Sequence, residues 1–565
     1  MKNTLDGGEA ILEACRMLGV DYIVSSPGTE WAPVWEALAN QIQRGGEGPA
    51  LLDCWHETLA VNIATGYTLA TGRMQAVLLH AGAGLLQGAM GIHGAWSARV
   101  PMVVISGETM TYGEKPDFDP GPQWVNNLSI VGGTTRLIEP VVKYASQAGS
   151  PYTLYESLVR AGELAQRRPA GPTYLSVSTE TLMEPWTPPK RARTVPPAPR
   201  LLTPPEDVAA LAKRLVAARH PLVIAEDAGN DAETFDALVA LCELLVLPVV
   251  ETRRAAFSNF PKSHPLHQGH DQKPFRADAD LVLLVRTRAP WYPPSDRPPN
   301  ATIAVLDEVP HRDYMVYQSL QADLYLEGDV GRTLRALADA VREIGPDTAA
   351  IEARRARLAA SHVRLWEGKR KLYDELRTKR PIDPVWLCAA LSEVMPDDAV
   401  YVDEVTTHTG LMHEHVLWNT PQSLFSRQGG LGQGLGLALG VKLALPDRPV
   451  VTLIGDGGFL YNPVLQCLGA ARDYKLPTLT VIFDNKKYAA MQHMHLKMYP
   501  DGTAVATDTF HGTHINAPDM AKVAESVGGY GVRVDDPDAL PDALRKGLAA
   551  VAEGRPAIVD VICDP

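Results

Sequence analysis

The stretch that decides the fold is Val450-Val451-Thr452-Leu453-Ile454-Gly455-Asp456-Gly457-Gly458, an apolar run that ends in a glycine-rich turn. A second apolar run, residues 478–483, ends in Asp484-Asn485. Because parallel strands bring their carboxyl ends to one edge of a sheet, we expect Asp456 and Asn485 to lie side by side. A carboxylate and an amide suit a Mg²⁺ ion that also holds phosphate oxygens, and glycines let backbone N–H groups approach those oxygens.

The rest of the chain repeats this alternation of short apolar runs and helix-length segments in three blocks. Strands are predicted at residues 22–25, 76–79, 102–106 and 173–177, at 221–225, 247–251, 281–286 and 302–306, and at 399–403, 450–454, 478–483 and 557–561. Strands that are apolar throughout and separated by helices are typical of parallel sheets covered on both faces. The sequence therefore predicts an α/β fold of three consecutive parallel-sheet domains.

Two segments that read as linkers set the predicted domain boundaries. Residues 185–205 are rich in proline, which neither continues a helix nor joins a sheet. Residues 352–380 are charged, rich in alanine and leucine and free of proline, which is typical of a long surface helix. We predict a first domain at residues 1–185, a linker at 186–205, a central domain at 206–345, a helical linker at 346–380 and a third domain at 381–565.

Composition excludes several classes of protein. The 565 residues are 45% hydrophobic and 21% charged, which is ordinary for a globular chain and excludes a disordered or collagen-like one. No apolar run reaches the roughly 18 residues of a membrane span, and the N-terminus reaches Asp6 and Glu9 too early for a signal peptide. The net charge of −13 argues against nucleic acid as a partner. Six cysteines without a Cys-x-x-Cys pair indicate free thiols in the cytoplasm.

The Gly455–Asn485 pattern resembles the cofactor motif of thiamine diphosphate (ThDP) dependent enzymes of the acetolactate synthase and benzoylformate decarboxylase type. In that family the motif is Gly-Asp-Gly followed by Asn-Asn, and here Asp484 replaces the first Asn. The resemblance implies that Asp456, Asn485 and the backbone carbonyl of Lys487 bind Mg²⁺. It implies that residues 455–458 bind the cofactor, and that the three domains are the pyrimidine-binding, central and diphosphate-binding domains.

A second segment, His56-Glu57-Thr58-Leu59-Ala60, resembles the family's His-Glu pair. It follows a strand-like run, residues 51–54, and precedes a helix rich in small residues. Taken alone, Glu57 is a plain acidic residue at a helix N-terminus, where the helix dipole favours it. The resemblance implies instead that Glu57 is the catalytic carboxylate at N1′ of the aminopyrimidine.

Further segments resemble family loops around the cofactor and the substrate. Ser25-Ser26-Pro27-Gly28-Thr29-Glu30 resembles the first active-site loop, and His80-Ala81-Gly82-Ala83-Gly84 resembles the second. By resemblance, His80 is a candidate proton relay, although a histidine bonded to a backbone group at a strand end is the alternative. The implied cofactor contacts are Thr406, Thr407 and Leu431, and the implied substrate-pocket candidates are Thr29, Ala490, His493 and Met494. By contrast, His264, His267 and His270 of the central block have a spacing that suits a loop, and we expect them to be structural.

The resemblance implies ThDP- and Mg²⁺-dependent cleavage or formation of a carbon–carbon bond beside a carbonyl. The most favoured reaction is 2-oxo acid decarboxylation, carboligation or both, through an enamine. The alternatives are acetolactate synthase or another carboligase or 2-hydroxyacyl lyase, and, less favoured, a non-catalytic ThDP-binding homologue. FAD is not expected. The family also implies a homodimer or a dimer of dimers, with Glu57 of one chain facing Asp456 of another.

Overall fold

The structure is a computed structural model that describes residues 5–108, 118–119, 132–191, 195–313, 315, 318, 320–426 and 429–564. The prediction that no signal peptide is present rests partly on residues 1–4, which lie outside the described residues. None of the helices in the described ranges is long and apolar enough to cross a membrane. The chain forms two compact units, one of Met1–Pro199, Arg427–Asp447 and Leu460–Thr478, and one of Arg200–Ser426, Arg448–Phe459 and Leu479–Pro565.

The described part of the first unit contains a parallel sheet of six strands in the order β2-β1-β3-β4-β6-β5. Its central strands are apolar and almost fully buried because helices cover both faces. The strands are β1 (Tyr22–Ser25), β2 (Ala50–Asp53), β3 (Gln75–Leu79), β4 (Met102–Glu108), β5 (Ala145–Ala148) and β6 (Pro172–Ser178). The described helices between residues 5 and 199 are α1 (Gly7–Met17), α2 (Ala32–Gln43), α3 (Glu57–Thr71), α4 (Ala83–Ser97), α5 (Gly133–Ile138), α6 (Pro151–Gln166) and α7 (Thr179–Leu182).

The second sheet lies in the second unit and has five described strands in the order β11-β10-β9-β7-β8, all parallel. The strands are β7 (Pro221–Ala225), β8 (Val249–Glu251), β9 (Leu281–Val285), β10 (Thr302–Asp307) and β11 (Leu324–Glu327). The helices of this part are α8 (Pro205–Ala217), α9 (Ala232–Leu245), α10 (Lys273–Arg276), α11 (Val330–Ile344) and the 29-residue α12 (Thr348–Leu376).

The third sheet also lies in the second unit, and its six described strands run parallel in the order β13-β12-β14-β15-β17-β16. They are β12 (Val400–Glu404), β13 (Leu424–Ser426), β14 (Val450–Gly455), β15 (Leu479–Asp484), β16 (Tyr530–Val534) and β17 (Ala557–Ile562). The remaining helices are α13 (Pro384–Val394), α14 (Thr409–His415), α15 (Gly434–Ala444), α16 (Asp456–Tyr461), α17 (Val464–Asp473), α18 (Ala489–Met498), α19 (Thr503–Ala506) and α20 (Leu540–Ala552). The predicted α/β fold of three parallel-sheet domains is confirmed.

Helices α3 and α15 pack closely within the first unit, and small residues permit the approach. A Cβ on Gly66 would lie 2.1 Å from the Leu437 carbonyl oxygen. A Cβ on Gly440 would lie 2.1 Å from the Ile63 carbonyl oxygen. This contact fixes α3, and Glu57 is its first residue.

Candidate active site

The first unit gathers polar side chains at the carboxyl ends of three neighbouring strands, β2, β1 and β3. Ser26 follows β1, and its backbone N–H donates to the Leu78 carbonyl oxygen of β3 at 3.0 Å. The Ser26 hydroxyl donates to Glu57 Oε1 at 2.8 Å, which orients the Glu57 carboxylate. His80 follows β3 directly. The edge of a parallel sheet where strands end is the usual position of an α/β ligand site.

Two local features hold Glu57 and His80 at this edge. Helix α3 begins at Glu57, and His56 caps it because His56 Nδ1 accepts a hydrogen bond from the Thr58 N–H at 3.2 Å. Gly84 is the second residue of the neighbouring helix α4. A Cβ at that position would lie 2.9 Å from the His80 Cβ and 3.1 Å from Glu57 Oε1. A glycine is therefore needed at position 84 for these two side chains to keep their positions.

Glu30 is a site residue to which the sequence assigned no role. Its side chain is 4% exposed, and its carboxylate accepts the Ala81 N–H at 2.7 Å and lies 2.9 Å from His80 Nδ1. The hydrogen bond with Glu30 raises the pKa of His80, against the opposing effect of burial, and the charge of Glu57 adds to the rise. The Nδ1 atom of His80 is thus paired with a carboxylate and not with a backbone group.

The backbone makes room for Glu30 at two glycines. A Cβ on Gly107, in β4, would lie 2.0 Å from Glu30 Cγ. A Cβ on Gly28, just before Glu30, would lie 2.7 Å from Glu30 Oε2. A buried carboxylate this close to an imidazole positions the ring, because it fixes which ring nitrogen carries the proton.

The second unit gathers a different set of groups at the carboxyl ends of β12, β14 and β15. These strands are neighbours, with Glu404 in register with Ile454 and Gly455 in register with Phe483. Asp456 begins α16 immediately after β14, and Asn485 follows β15. The structure thus places the predicted metal-binding residues Asp456, Asn485 and Lys487 at one sheet edge.

Asp456 has the electrostatic features of a cation ligand. Its Oδ1 accepts the Gly457 N–H at 2.7 Å, while its buried Oδ2 accepts no hydrogen bond from any described residue. Burial, together with the charge of the neighbouring Asp484, raises the pKa of Asp456 to about 7. A buried carboxylate oxygen without a partner is costly unless a cation satisfies it, so this residue fits the predicted Mg²⁺.

The glycines around Asp456 keep the turn narrow. A Cβ on Gly457 would lie 2.5 Å from the Tyr488 ring, and one on Gly458 would lie 3.2 Å from the Glu404 carbonyl oxygen. A Cβ on Gly455 would meet nothing within 4 Å among the described atoms. Room beside Gly455, with closely packed backbone around it, is what a diphosphate group requires.

The remaining predicted residues are spread over both units. Thr406 and Thr407 follow β12, and Ala490, His493 and Met494 lie on α18, where the last two are exposed. Thr29 is exposed at the start of a 3₁₀ turn. Leu431 is 38% exposed and belongs to the first unit, the one that contains Glu57.

His408 follows Thr407 and was not predicted as a site residue. It is buried, and its Nε2 has no hydrogen-bond partner within the described ranges. Burial lowers the pKa of His408, and the charge of His493 adds to the lowering. A single histidine in a loop carries no sequence signal that distinguishes it from a surface residue.

Comparison with known families agrees with this arrangement. Residues 5–130 match the N-terminal TPP binding domain of thiamine pyrophosphate enzymes, residues 208–337 match the central domain, and residues 404–561 match the C-terminal TPP binding domain. The chain belongs to the thiamine pyrophosphate (ThDP) dependent enzyme family.

Its similarity to characterised relatives is low but extends over the whole chain. It is 26% identical to an acetolactate synthase of Bacillus subtilis, with 99% of this chain and 93% of the relative covered. It is also 26% identical to a benzoylformate decarboxylase of Pseudomonas aeruginosa, with 90% of each chain covered. Among solved structures, it superposes with a TM-score of 0.78 and 22% identity on a thiamin diphosphate-dependent enzyme from Mycobacterium smegmatis, covering 100% of both chains. These neighbours establish a ThDP-dependent decarboxylase or synthase fold.

Proposed function

We propose that this enzyme uses ThDP and Mg²⁺ to decarboxylate a 2-oxo acid and releases the aldehyde. The observation that carries the proposal is the Glu30–His80 pair beside Glu57. Replacing CO₂ by hydrogen requires a proton donor, and a histidine whose pKa is raised by a buried carboxylate is suited to that task.

The residues present divide the work between two sets. Asp456, Asn485 and the Lys487 carbonyl would hold Mg²⁺, and the backbone at residues 455–458 would face the diphosphate. When bound, ThDP supplies the nucleophilic carbon and the electron-accepting ring. Glu57 would hold a proton at the aminopyrimidine N1′ of bound ThDP, and the Ser26 hydroxyl orients the Glu57 carboxylate by donating to Oε1 at 2.8 Å.

His80 completes the proposed reaction. With Nδ1 directed to Glu30, its Nε2 is the ring nitrogen that can give a proton to the product carbon. One C–C bond breaks, CO₂ leaves, and the donated proton forms the C–H bond of the aldehyde. Water then returns a proton to the imidazole.

Acetolactate synthase or another carboligase is the second candidate, because a relative with that name is as similar as the decarboxylase. In a carboligase a second carbonyl compound, and not a proton, traps the carbon left after CO₂ departs. The proton-donating environment of His80 favours the decarboxylase.

The first experiment measures CO₂ release with product identification, in the presence of ThDP and Mg²⁺, from pyruvate, benzoylformate, branched 2-oxo acids and oxalyl-CoA. Release with free aldehyde supports the proposal, whereas a hydroxyketone or acetolactate as the main product replaces it with the carboligase.

Glu57→Gln should retain ThDP binding and lose turnover by about 10²- to 10⁴-fold. The matched control is Glu47→Gln, at an exposed position of the same unit. Equal activity of the two variants would contradict the role of Glu57.

The proposed working unit is a homodimer or a dimer of dimers, with Glu57 of one chain and Asp456 of another at each site. In support, large apolar side chains are exposed near Glu57, among them Trp55 at 53%, Leu86 at 54% and Met90 at 48%. Helix α18 likewise exposes Met491 at 59% and Met498 at 65%. Such exposure indicates surfaces that association would cover.

Mixed subunits test this arrangement. Glu57→Gln and Asp456→Ala chains are each inactive in this scheme, but a mixed dimer retains one intact site of two. Random 1:1 mixing should therefore restore about a quarter of wild-type turnover. No restored activity in dimers shown to be mixed would mean that each site lies within one chain.

The central domain is proposed to function without FAD. At the carboxyl edge of its sheet, Glu226 pairs with Arg288 at 2.7 Å and Asp307 with Arg312 at 2.9 Å. These arginines are already engaged by carboxylates at the edge where a dinucleotide would bind. Flavin absorbance in the purified protein would contradict this part of the proposal.

A further inference from the structure

The second unit contains a buried group of imidazoles that the ThDP chemistry does not use. Glu251 is the last residue of β8, and His267 and His270 lie in the loop that follows. One potential ligand atom from each of the three residues lies within 4.8 Å of the others. His267 Nε2 is already 3.1 Å from Glu251 Oε1.

Most ring nitrogens of this group have no hydrogen-bond partner among the residues that the structure describes. His267 Nδ1 and both nitrogens of His270 are buried and form no hydrogen bond with any described residue. The same is true of both nitrogens of His413 on α14, whose ring centroid is 6.2 Å from that of His270. An unsatisfied buried polar atom lowers the stability of the fold, because it gives up its hydrogen bonds to water and gains none in return. Five together indicate that a ligand belongs among these rings.

Imidazole nitrogen with carboxylate oxygen is a donor set of zinc. Zinc binds nitrogen and oxygen at about 2.0–2.2 Å in a tetrahedron, so that neighbouring ligand atoms are about 3.3 Å apart. The separation of 3.1 Å between His267 Nε2 and Glu251 Oε1 is close to this value. The other separations among Glu251, His267 and His270 are at most 4.8 Å, and small side-chain rotations would bring them to the tetrahedral value. The second carboxylate oxygen of Glu251 accepts a hydrogen bond from Asn259 at 3.0 Å, which fixes its orientation as outer groups of metal sites do.

We propose that Glu251, His267 and His270 bind a Zn²⁺ ion in the interior of the second unit, with His413 as the fourth ligand. Such an ion would join the loop after β8 to α14 and serve a structural role. The buried amine of Lys262 interacts electrostatically with Glu251 and also has other partners. Its amine donates to the carbonyl oxygens of His413 and Val416 and lies 3.2 Å from the centre of the Trp418 ring.

The test uses the full-length protein saturated with ThDP and Mg²⁺, so that the Asp456 site is not open to added metal. Zinc content is measured by mass spectrometry after dialysis, and ZnCl₂ is then titrated while unfolding is followed. We expect about one zinc per chain and a rise in Tm with zinc. His270→Gln should weaken zinc binding by at least about 10- to 100-fold. Co²⁺ in place of zinc should give the visible absorption of a tetrahedral nitrogen and oxygen site.

The matched control is His264→Gln, since His264 lies on the same loop but pairs with the partly exposed Glu243 at 3.2 Å. It should retain wild-type zinc. If His270→Gln does not fold, Glu251→Gln replaces it, and the Tm response of the wild type stands without any variant. The proposal is overturned if the wild type takes up no zinc under these conditions. It is equally overturned if His264→Gln and His270→Gln bind zinc alike. Both results are independent of decarboxylase activity.

Discussion

Replacing Glu30 by Gln tests the proton donor directly. Gln has the volume of Glu and keeps Oε1 as the acceptor for the Ala81 N–H at 2.7 Å. It is uncharged, however, and its NH₂ group cannot accept the hydrogen bond from His80 Nδ1 that Glu30 Oε2 accepts at 2.9 Å. The imidazolium form of His80 loses a charge-assisted hydrogen bond, worth about 1.5–3 kcal/mol. If the step that consumes the proton is rate-limiting, the barrier at a pH above the lowered pKa of His80 rises by up to this amount, because fewer His80 side chains are protonated. Turnover then falls about 10- to 150-fold.

The assay is kcat against pH for CO₂ release and for aldehyde formation. Glu30 raises the pKa of His80, so the imidazolium persists to higher pH in the wild type. In Glu30→Gln the alkaline limb of the profile should move to lower pH, while ThDP affinity stays unchanged. The same substitution in a His80→Ala background should have no further effect on kcat. An unshifted profile, or additive losses in the double variant, would refute the proposed link between Glu30 and His80.

Two other predictions follow from the described contacts. Because burial raises the pKa of Asp456 to about 7, Mg²⁺ must displace a proton below that pH. The apparent Kd for Mg²⁺, measured by calorimetry, should therefore rise up to about tenfold per pH unit as pH falls from 7, and a pH-independent Kd would show that Asp456 is not a ligand. Gly66→Ala should destabilise the protein by about 1–3 kcal/mol in urea unfolding, because its Cβ would overlap the Leu437 carbonyl oxygen. The matched control is Gly368→Ala, which lies within α12 and whose Cβ would meet nothing within 4 Å among the described atoms. Equal stability of Gly66→Ala and the wild type would mean that α3 and α15 can separate without cost.

The sequence predicted the interior strands well and missed four others, all at sheet edges. The missed strands are β5, β11, β13 and β16. Interior strands are buried on both faces and therefore appear as continuous apolar runs. Edge strands are short and partly exposed, as in Ala145–Ala148 and Tyr530–Val534, so their composition does not distinguish them from loops.

The residues of the candidate site also divide into those that the sequence predicted and those that it missed. Asp456 and Asn485 were predicted from their positions at the ends of two apolar runs, and Glu57 from the resemblance of its segment to the family's His-Glu pair. Glu30 could not be predicted, because its role depends on a partner 50 residues away in the sequence and on the space left by Gly107. His267 and His270 were expected to be structural loop residues. They become candidate ligands because His267 Nδ1 and both ring nitrogens of His270 are buried without a hydrogen-bond partner among the described residues. Only the three-dimensional structure shows this.

Asp484 departs from the family motif, and the structure shows what this change affects. Its Oδ1 accepts the Lys486 N–H at 3.0 Å, and its Oδ2 accepts from Arg533 at 3.0 Å. Both oxygens are therefore engaged within the protein, which supports an unchanged ligand set of Asp456, Asn485 and the Lys487 carbonyl. The added charge acts instead on Asp456, whose pKa it raises together with burial. We therefore expect the Asp at this position to change the pH at which Mg²⁺ binds, while the proposed ligands stay the same.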